Sequence, residues 1–165
     1  MKGTKQRWAG AIAAVAAIGA VLAVPGAFGA ELTRDEYVAR VEPICKQNVD
    51  ANKKIFKGAK EEVKAGELKK GSAHFFRAAT ALNKTIGQLK AVPQPPADAT
   101  KLAKWLGYLQ TESSYFDRIG KALASGDKYK AQSLSVKLNR NSNLANNSVL
   151  AFGFNYCRID SSRFS

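Results

Sequence analysis

The stretch that decides the fold is residues 102–123, LAKWLGYLQTESSYFDRIGKAL. Apolar and small residues recur along it at alternating spacings of four and three, which is the period of one buried helix face. No proline interrupts the stretch, and Gly126 follows it as a helix stop. The pattern predicts a long helix over residues 97–125. Its buried face would comprise Leu102, Leu106, Leu109, Ser113, Phe116, Gly120 and Leu123.

The same repeat predicts three more helices. The first opens with a capping box in which Thr33 is the N-cap and Glu36 its partner. Pro43 lies inside this helix, and because proline removes a backbone donor we expect a kink or a break near it. Asp127 is the expected N-cap of the last helix. The four predicted helices cover residues 33–65, 67–92, 97–125 and 128–156.

Helices of this length joined by short turns pack as antiparallel neighbours. The sequence therefore predicts an all-α protein, an up-down-up-down antiparallel four-helix bundle with one disulfide. In that arrangement the first and last helices are neighbours. The bond between Cys45 and Cys157 fits best if residues 33–42 overhang the bundle or fold away at Pro43. If the two cysteines are level, residues whose numbers sum to about 202 face each other.

The disulfide prediction rests on two cysteines, Cys45 and Cys157. In an exported chain an even number of cysteines favours a bridge over free thiols. A redox or metal pair is the alternative, although neither cysteine lies in a CxxC motif and His74 is the only histidine. We predict a structural bridge that closes a long loop.

The first thirty residues predict export. A cationic start, MKGTKQRW, precedes the apolar run AGAIAAVAAIGAVLAV, as in a Sec signal peptide. The small residues Ala27 and Gly29 place cleavage after Gly29, with cleavage after Ala30 as the alternative. An uncleaved N-terminal anchor is the competing interpretation, because residues 9–27 approach the roughly 20 apolar residues that span a bilayer.

The expected location is therefore secreted or extracytoplasmic, at the cell envelope. The predicted divisions are a signal peptide at residues 1–29, a helical bundle at 31–158 and a short tail at 159–165.

The chain that remains after cleavage is strongly basic. The signal removes three cations and no acid, which leaves 23 basic residues against 13 acidic ones. Lysines concentrate in two segments that meet at one pole of the predicted bundle, and such point charges suit diffuse attraction to an anionic envelope polymer or membrane surface. Solubility alone is the alternative explanation. The residues of this basic pole are Lys53, Lys57, Lys60, Lys64, Lys69, Lys70, Lys128 and Lys130.

Catalytic and cofactor motifs are absent from the sequence. It lacks Walker A, GxSxG and HExxH motifs, a CxxCH haem site and the ExxH pairs of di-iron bundles. We therefore predict a non-enzymatic protein with no catalytic residue, metal or cofactor. Nucleic acid is not an expected partner, since no helix-turn-helix or RNA-binding motif is present. No protein partner is assigned.

The main functional hypothesis is association with anionic envelope components through the basic pole. The alternative is a small-ligand carrier or sensor that uses the bundle interior, with His74, Trp105 and Tyr108 as pocket residues. An internal cavity of several hundred Å3 would favour this alternative. Packing in the core or at its boundary explains the same three residues without a ligand.

Six asparagines fall within residues 139–157, NRNSNLANNSVLAFGFNYC. Apolar residues at helical spacing run through this stretch, which predicts a packed helix. We expect Asn141, and Asn48 across the bundle, to point inward and set the helix register. Four other asparagines of the helix are expected to face solvent or the ends of neighbouring helices; these are Asn139, Asn143, Asn146 and Asn147.

Four stretches carry a resemblance to a known class of protein. They are EYVARVEPIC (36–45), LAKWLGYLQTE (102–112), IGKALASGD (119–127) and FGFNYC (152–157). Together they resemble small exported helical proteins of unknown function from high-GC Gram-positive bacteria. The resemblance spans nearly the whole chain after the signal and implies the export signal, the helices and the terminal cysteines. It implies no catalytic residue.

Overall fold

A computed structural model describes residues 31–159. Within this part of the chain the regular structure is entirely helical, with five α-helices, two 3-10 turns and no strand. The α-helices are α1 (Arg34–Ile55), α2 (Ala59–Lys64), α3 (Leu68–Lys90), α4 (Ala99–Ala124) and α5 (Lys128–Ser148). The 3-10 turns are Pro96–Asp98 and Leu150–Phe152.

Two predicted features lie outside the described residues. They are the signal peptide, with its anchor alternative at residues 9–27, and the tail from residue 160 onward. None of the helices between residues 31 and 159 has the length and apolar character needed to cross a bilayer.

The predicted helix signals at Thr33 and Asp127 are confirmed. Thr33 Oγ1 accepts from the Glu36 backbone at 3.3 Å, and the Glu36 carboxylate accepts from the Thr33 backbone at 2.8 Å. Asp127 caps α5 by accepting from the Lys130 backbone at 2.8 Å. At Gly126 the positive φ of 80° lets the chain leave α4 without the steric cost that a β-carbon would bring.

The predicted first helix is in fact two helices. α1 continues through Pro43 and ends at Ile55, so of the two predicted alternatives, a kink or a break near Pro43, the break is wrong. The interruption falls at Gly58, whose φ of 85° is left-handed. Proline removes one backbone hydrogen bond, but buried Val41 and Cys45 on either side hold both halves of α1 against the core. Tertiary packing therefore overrides the local signal.

The last helix is shorter than predicted, because α5 ends at Ser148 rather than near residue 156. Residues 149–159, here called the C-terminal segment, turn back along α5. Asn146 Nδ2 donates to the Ile159 carbonyl at 2.7 Å, and Asn146 Oδ1 accepts from the Ile159 backbone at 2.8 Å. Asparagine amides compete in this way with helical backbone bonds. Ile159, assigned to the tail by the sequence, is held against the core.

The C-terminal segment brings the two cysteines together. Cys45 and Cys157 form a disulfide with their Cα atoms 5.0 Å apart, which confirms the predicted pairing. The predicted overhang of residues 33–42 is wrong, since Tyr37 and Val41 are fully buried. α1 packs against α3 and the 3-10 turn Leu150–Phe152. The predicted register paired α1 with a last helix that reached residue 156. That premise is wrong, because the C-terminal segment is not α-helical.

α4 lies at the centre of the core and packs against both α3 and α5. All seven positions of its predicted buried face are buried. Gly120 allows a close approach, because a β-carbon there would lie 2.9 Å from the Phe76 ring. Towards the C-terminal segment, the Trp105 ring lies 5.4 Å from that of Phe154, which stacks on Phe152. These aromatic contacts explain why the segment packs down instead of extending a helix.

The carboxylate of Glu42 on α1 fixes the backbone of the C-terminal segment. It accepts from the amides of Asn155 at 2.9 Å, Tyr156 at 3.0 Å and Cys157 at 3.3 Å. We expect Glu42→Ala to cost about 1.5 to 3 kcal/mol of stability, since three donors lose a charged acceptor. Hydrogen exchange should show lost protection at these amides. Unchanged protection, or an equal change in the exposed control Glu61→Ala, would contradict this role.

Candidate functional site

The eight lysines of the predicted basic pole are all exposed. Lys53 pairs with Asp50 at 3.8 Å and Lys70 with Glu67 at 2.9 Å, contacts that are weak at exposed sites. The other six have no carboxylate within 4.0 Å among residues 31–159. Their charges are therefore available to a partner. Three of them line one groove, and these are Lys60, Lys64 and Lys128.

This α2–α5 groove has a volume of about 460 Å3. It lies between α2 and the first turns of α5, over a floor supplied by α3, α4 and the α1–α2 turn. Within the described chain no carboxylate lines it. The floor is apolar and comprises Phe56, Phe75, Ile119 and Leu123, and Val63 adds an apolar side chain from the α2 wall. Basic side chains around an apolar floor give the groove the chemistry of an amphiphile site.

The split between α1 and α2 creates one wall of the groove. Val63 on α2 packs against Gly71 on α3, where a β-carbon would lie 2.5 Å from the valine methyl group. His74 fixes the turn that connects the two helices. Its Nε2 lies 2.8 Å from Glu62 Oε2, and its Nδ1 contacts the Ile55 carbonyl oxygen. The lone histidine thus positions α2.

A second cavity, here called the Glu112 cavity, lies beside the disulfide and has a volume of about 60 Å3. Five buried side-chain polar atoms in residues 31–159 have no hydrogen-bond partner, and four of them belong to residues that line this cavity. Leaving such atoms without partners costs about 1 to 3 kcal/mol each. The four atoms are Asn48 Oδ1, Asn52 Oδ1, Trp105 Nε1 and Glu112 Oε2.

Glu112 is the principal ionisable group of this cavity. Glu112 lies on α4, and only 3% of the residue is exposed. Burial raises the pKa of the Glu112 carboxyl to about 8, because the surroundings disfavour the charged form. Two exposed cations, Lys53 and Arg158, line the same cavity. The cavity thus combines a buried acid, neutral amides and a cationic edge.

The structure does not bring the predicted ligand-pocket residues together. Trp105 is fully buried and lines the Glu112 cavity, whereas His74 and Tyr108 do not line it. The Tyr108 carbonyl instead accepts from Asn141 Nδ2 at 2.9 Å. Asn141 is buried, so the prediction that it points inward is confirmed.

Sequence reasoning overlooked Glu112, although a signal was present. Most acids of this chain have a lysine or arginine one helical turn away. Glu112 has only apolar or aromatic residues at those positions, which are Tyr108, Leu109, Tyr115 and Phe116. An acid with such neighbours faces the core and has no local cation.

Comparison with protein-family models, curated proteins and solved structures found no match. Between residues 31 and 159, no three His, Cys, Asp or Glu side chains come together as a metal site. The α2–α5 groove and the Glu112 cavity are the two candidate sites within the described residues.

Proposed function

We propose that this is a non-enzymatic, exported protein that binds an anionic amphiphile of the cell envelope at its basic pole. The observation that carries the proposal is the α2–α5 groove, where three lysines surround an apolar floor. An acyl chain would lie on Phe75 and Leu123, and an acidic headgroup would face the lysines. Export and an envelope location rest on the sequence of residues 1–29.

Magnitudes favour an amphiphile over a purely charged polymer. Each lysine near an anionic surface contributes about 1 kcal/mol, so three give millimolar affinity at best. Each buried methylene adds about 0.8 kcal/mol, so a chain of several carbons decides the affinity. The groove volume of about 460 Å3 falls in the range of ligand sites. Charge then selects the headgroup, and apolar burial supplies most of the binding free energy.

We also propose that the four long helices alternate in direction as an up-down-up-down bundle. The short connections support this, since residues 91–98 join α3 to α4 and residues 125–127 join α4 to α5. These two pairs also pack against each other. α2 is a short addition to that plan and forms the groove wall.

Neutralising the groove lysines tests the proposal. We expect Lys60→Gln, Lys64→Gln and Lys128→Gln combined to weaken binding to vesicles of phosphatidylglycerol and phosphatidylcholine by about a hundredfold. Wild-type binding should weaken as salt rises, because the charges are exposed. Vesicle sedimentation measures both effects. The control removes three exposed lysines outside the groove: Lys84→Gln, Lys90→Gln and Lys104→Gln.

A second arm separates an amphiphile from a polymer. Monomeric dodecanoate should saturate the wild-type protein and compete with vesicles, whereas polyglutamate should compete weakly. Equal losses in the two triple variants would show diffuse attraction by net charge. Polyglutamate that competes as well as dodecanoate would refute the apolar part of the site.

A further inference from the structure

The Glu112 cavity holds a concentration of unpartnered polar atoms that the proposed groove function does not use. Three of them are oxygens, on Asn48, Asn52 and Glu112, and the fourth is the Trp105 indole nitrogen. A cavity needs a volume of about 10 to 15 Å3 to hold one water molecule. The Glu112 cavity, with a volume of about 60 Å3, therefore has room for a small organic molecule. An occupant with several donors would relieve the cost of burying these oxygens.

The charges around the cavity narrow the choice of occupant. Glu112 lies in the interior, while Lys53 from α1 and Arg158 from the C-terminal segment line the cavity and are exposed. Lys53 and Arg158 would repel a simple cation. A simple anion would be repelled by the three unpartnered oxygens and would offer them no donor. An ammonium group carries three donors and no acceptor, which matches the oxygens. A carboxylate at the other end would match the two cations.

We propose that the Glu112 cavity binds a small zwitterion, an α-amino acid of two or three carbons. Its ammonium group donates to Glu112 Oε2 and to the Asn48 and Asn52 amide oxygens, and its carboxylate faces Lys53 and Arg158. The apolar part contacts the leucines of the cavity wall. This site is separate from the α2–α5 groove, and neither proposal depends on the other.

Proton linkage gives the proposal a distinctive signature. With a pKa of about 8, the empty site holds Glu112 protonated at neutral pH. A bound ammonium favours the carboxylate, so Glu112 gives its proton to the buffer as the amino acid binds. The other titratable groups lining the cavity are Lys53 on α1 and Tyr156 and Arg158 in the C-terminal segment. α3 contributes only uncharged residues.

Calorimetry on the full chain with glycine and alanine tests this proposal. We expect saturable binding that is about fiftyfold tighter at pH 8 than at pH 6, as the ionised fraction of Glu112 rises. At pH 7 the apparent enthalpy should differ between phosphate and Tris buffers by close to one released proton. N-acetylglycine lacks the ammonium group and should not bind.

Variants locate the effect on the named groups. Glu112→Gln should weaken glycine binding at pH 8 by about tenfold or more and abolish proton release. Lys53→Gln with Arg158→Gln should weaken binding but leave proton release intact. The exposed control Glu61→Gln should change neither quantity.

Three outcomes would overturn the proposal. They are no saturable heat with either amino acid, equal binding of N-acetylglycine, and binding of glycine without proton release. The first would mean that ordered water alone satisfies the four atoms. All three are measured on the wild-type protein, so a variant that fails to fold leaves the test decisive.

Discussion

The double variant Cys45→Ala, Cys157→Ala should lose about 4 to 5 kcal/mol of unfolding free energy. The bridge joins residues 112 positions apart, and in the chain-entropy model a loop of that length strongly restricts the unfolded state. It also fixes the C-terminal segment, whose Phe154 ring packs against Trp105. Urea unfolding followed by circular dichroism gives the midpoint and the slope.

Reduced wild-type protein is the matched control for the double variant. It loses the bridge but keeps both sulfur atoms, so it separates the cross-link from the small cavities left by substitution. We expect the reduced protein and the variant to unfold at similar urea concentrations. A loss below about 1 kcal/mol in both would show that packing of the C-terminal segment is sufficient without the cross-link.

The stability of the protein should fall as pH rises from about 5 to about 8 because of Glu112. Burial raises its folded pKa to about 8 from an ordinary value of 4.5. Between these two pH values the folded state therefore retains a proton that the unfolded state releases. The contribution of Glu112 to the free energy of unfolding is fully present below pH 4.5 and is lost progressively as pH rises to about 8. The slope in that window is about 1.4 kcal/mol per pH unit, and above pH 8 the contribution is constant.

Glu112→Gln should remove this pH dependence, because the neutral amide keeps the shape of the protonated acid. We expect the variant to be more stable than wild type at pH 8 by several kcal/mol and nearly equal to it at pH 5. Urea unfolding at pH 5, 6.5 and 8 measures the difference. The exposed acid Glu61, changed to Gln, should leave the wild-type profile unchanged. If the free energy of unfolding of the wild type did not change between pH 5 and pH 8, the raised pKa of Glu112 would be contradicted.

The disulfide was predictable from the count of two cysteines in an exported chain, and the central helix was predictable from local information. The face from Leu102 to Leu123 repeats without interruption, so periodicity alone placed all seven buried positions. Thr33 and Asp127 act on backbone groups within one turn, and such short-range chemistry is visible in a sequence. The basic pole was predicted from charge density, but the placement of three of its lysines along one groove was not predictable in this way.

The ends of the first and last helices were not predictable in the same way. Pro43 stays within α1 because the core holds the helix on both sides of it. The last helix ends at Ser148 because Asn146 makes a hydrogen bond to Ile159, thirteen residues further along the chain, and because Phe154 packs against Trp105. Each of these choices depends on a partner that is distant in the chain.

By itself the sequence determined an all-helical protein, the pairing of Cys45 with Cys157 and a surplus of lysine. Only the tertiary structure decided that the chain turns at Gly58, that three lysines line an apolar groove and that Glu112 lines a cavity together with three other residues whose buried polar atoms have no partner. The reason is physical. Periodicity and capping report interactions within about one helical turn, whereas grooves and cavities form where separate helices fail to close against each other.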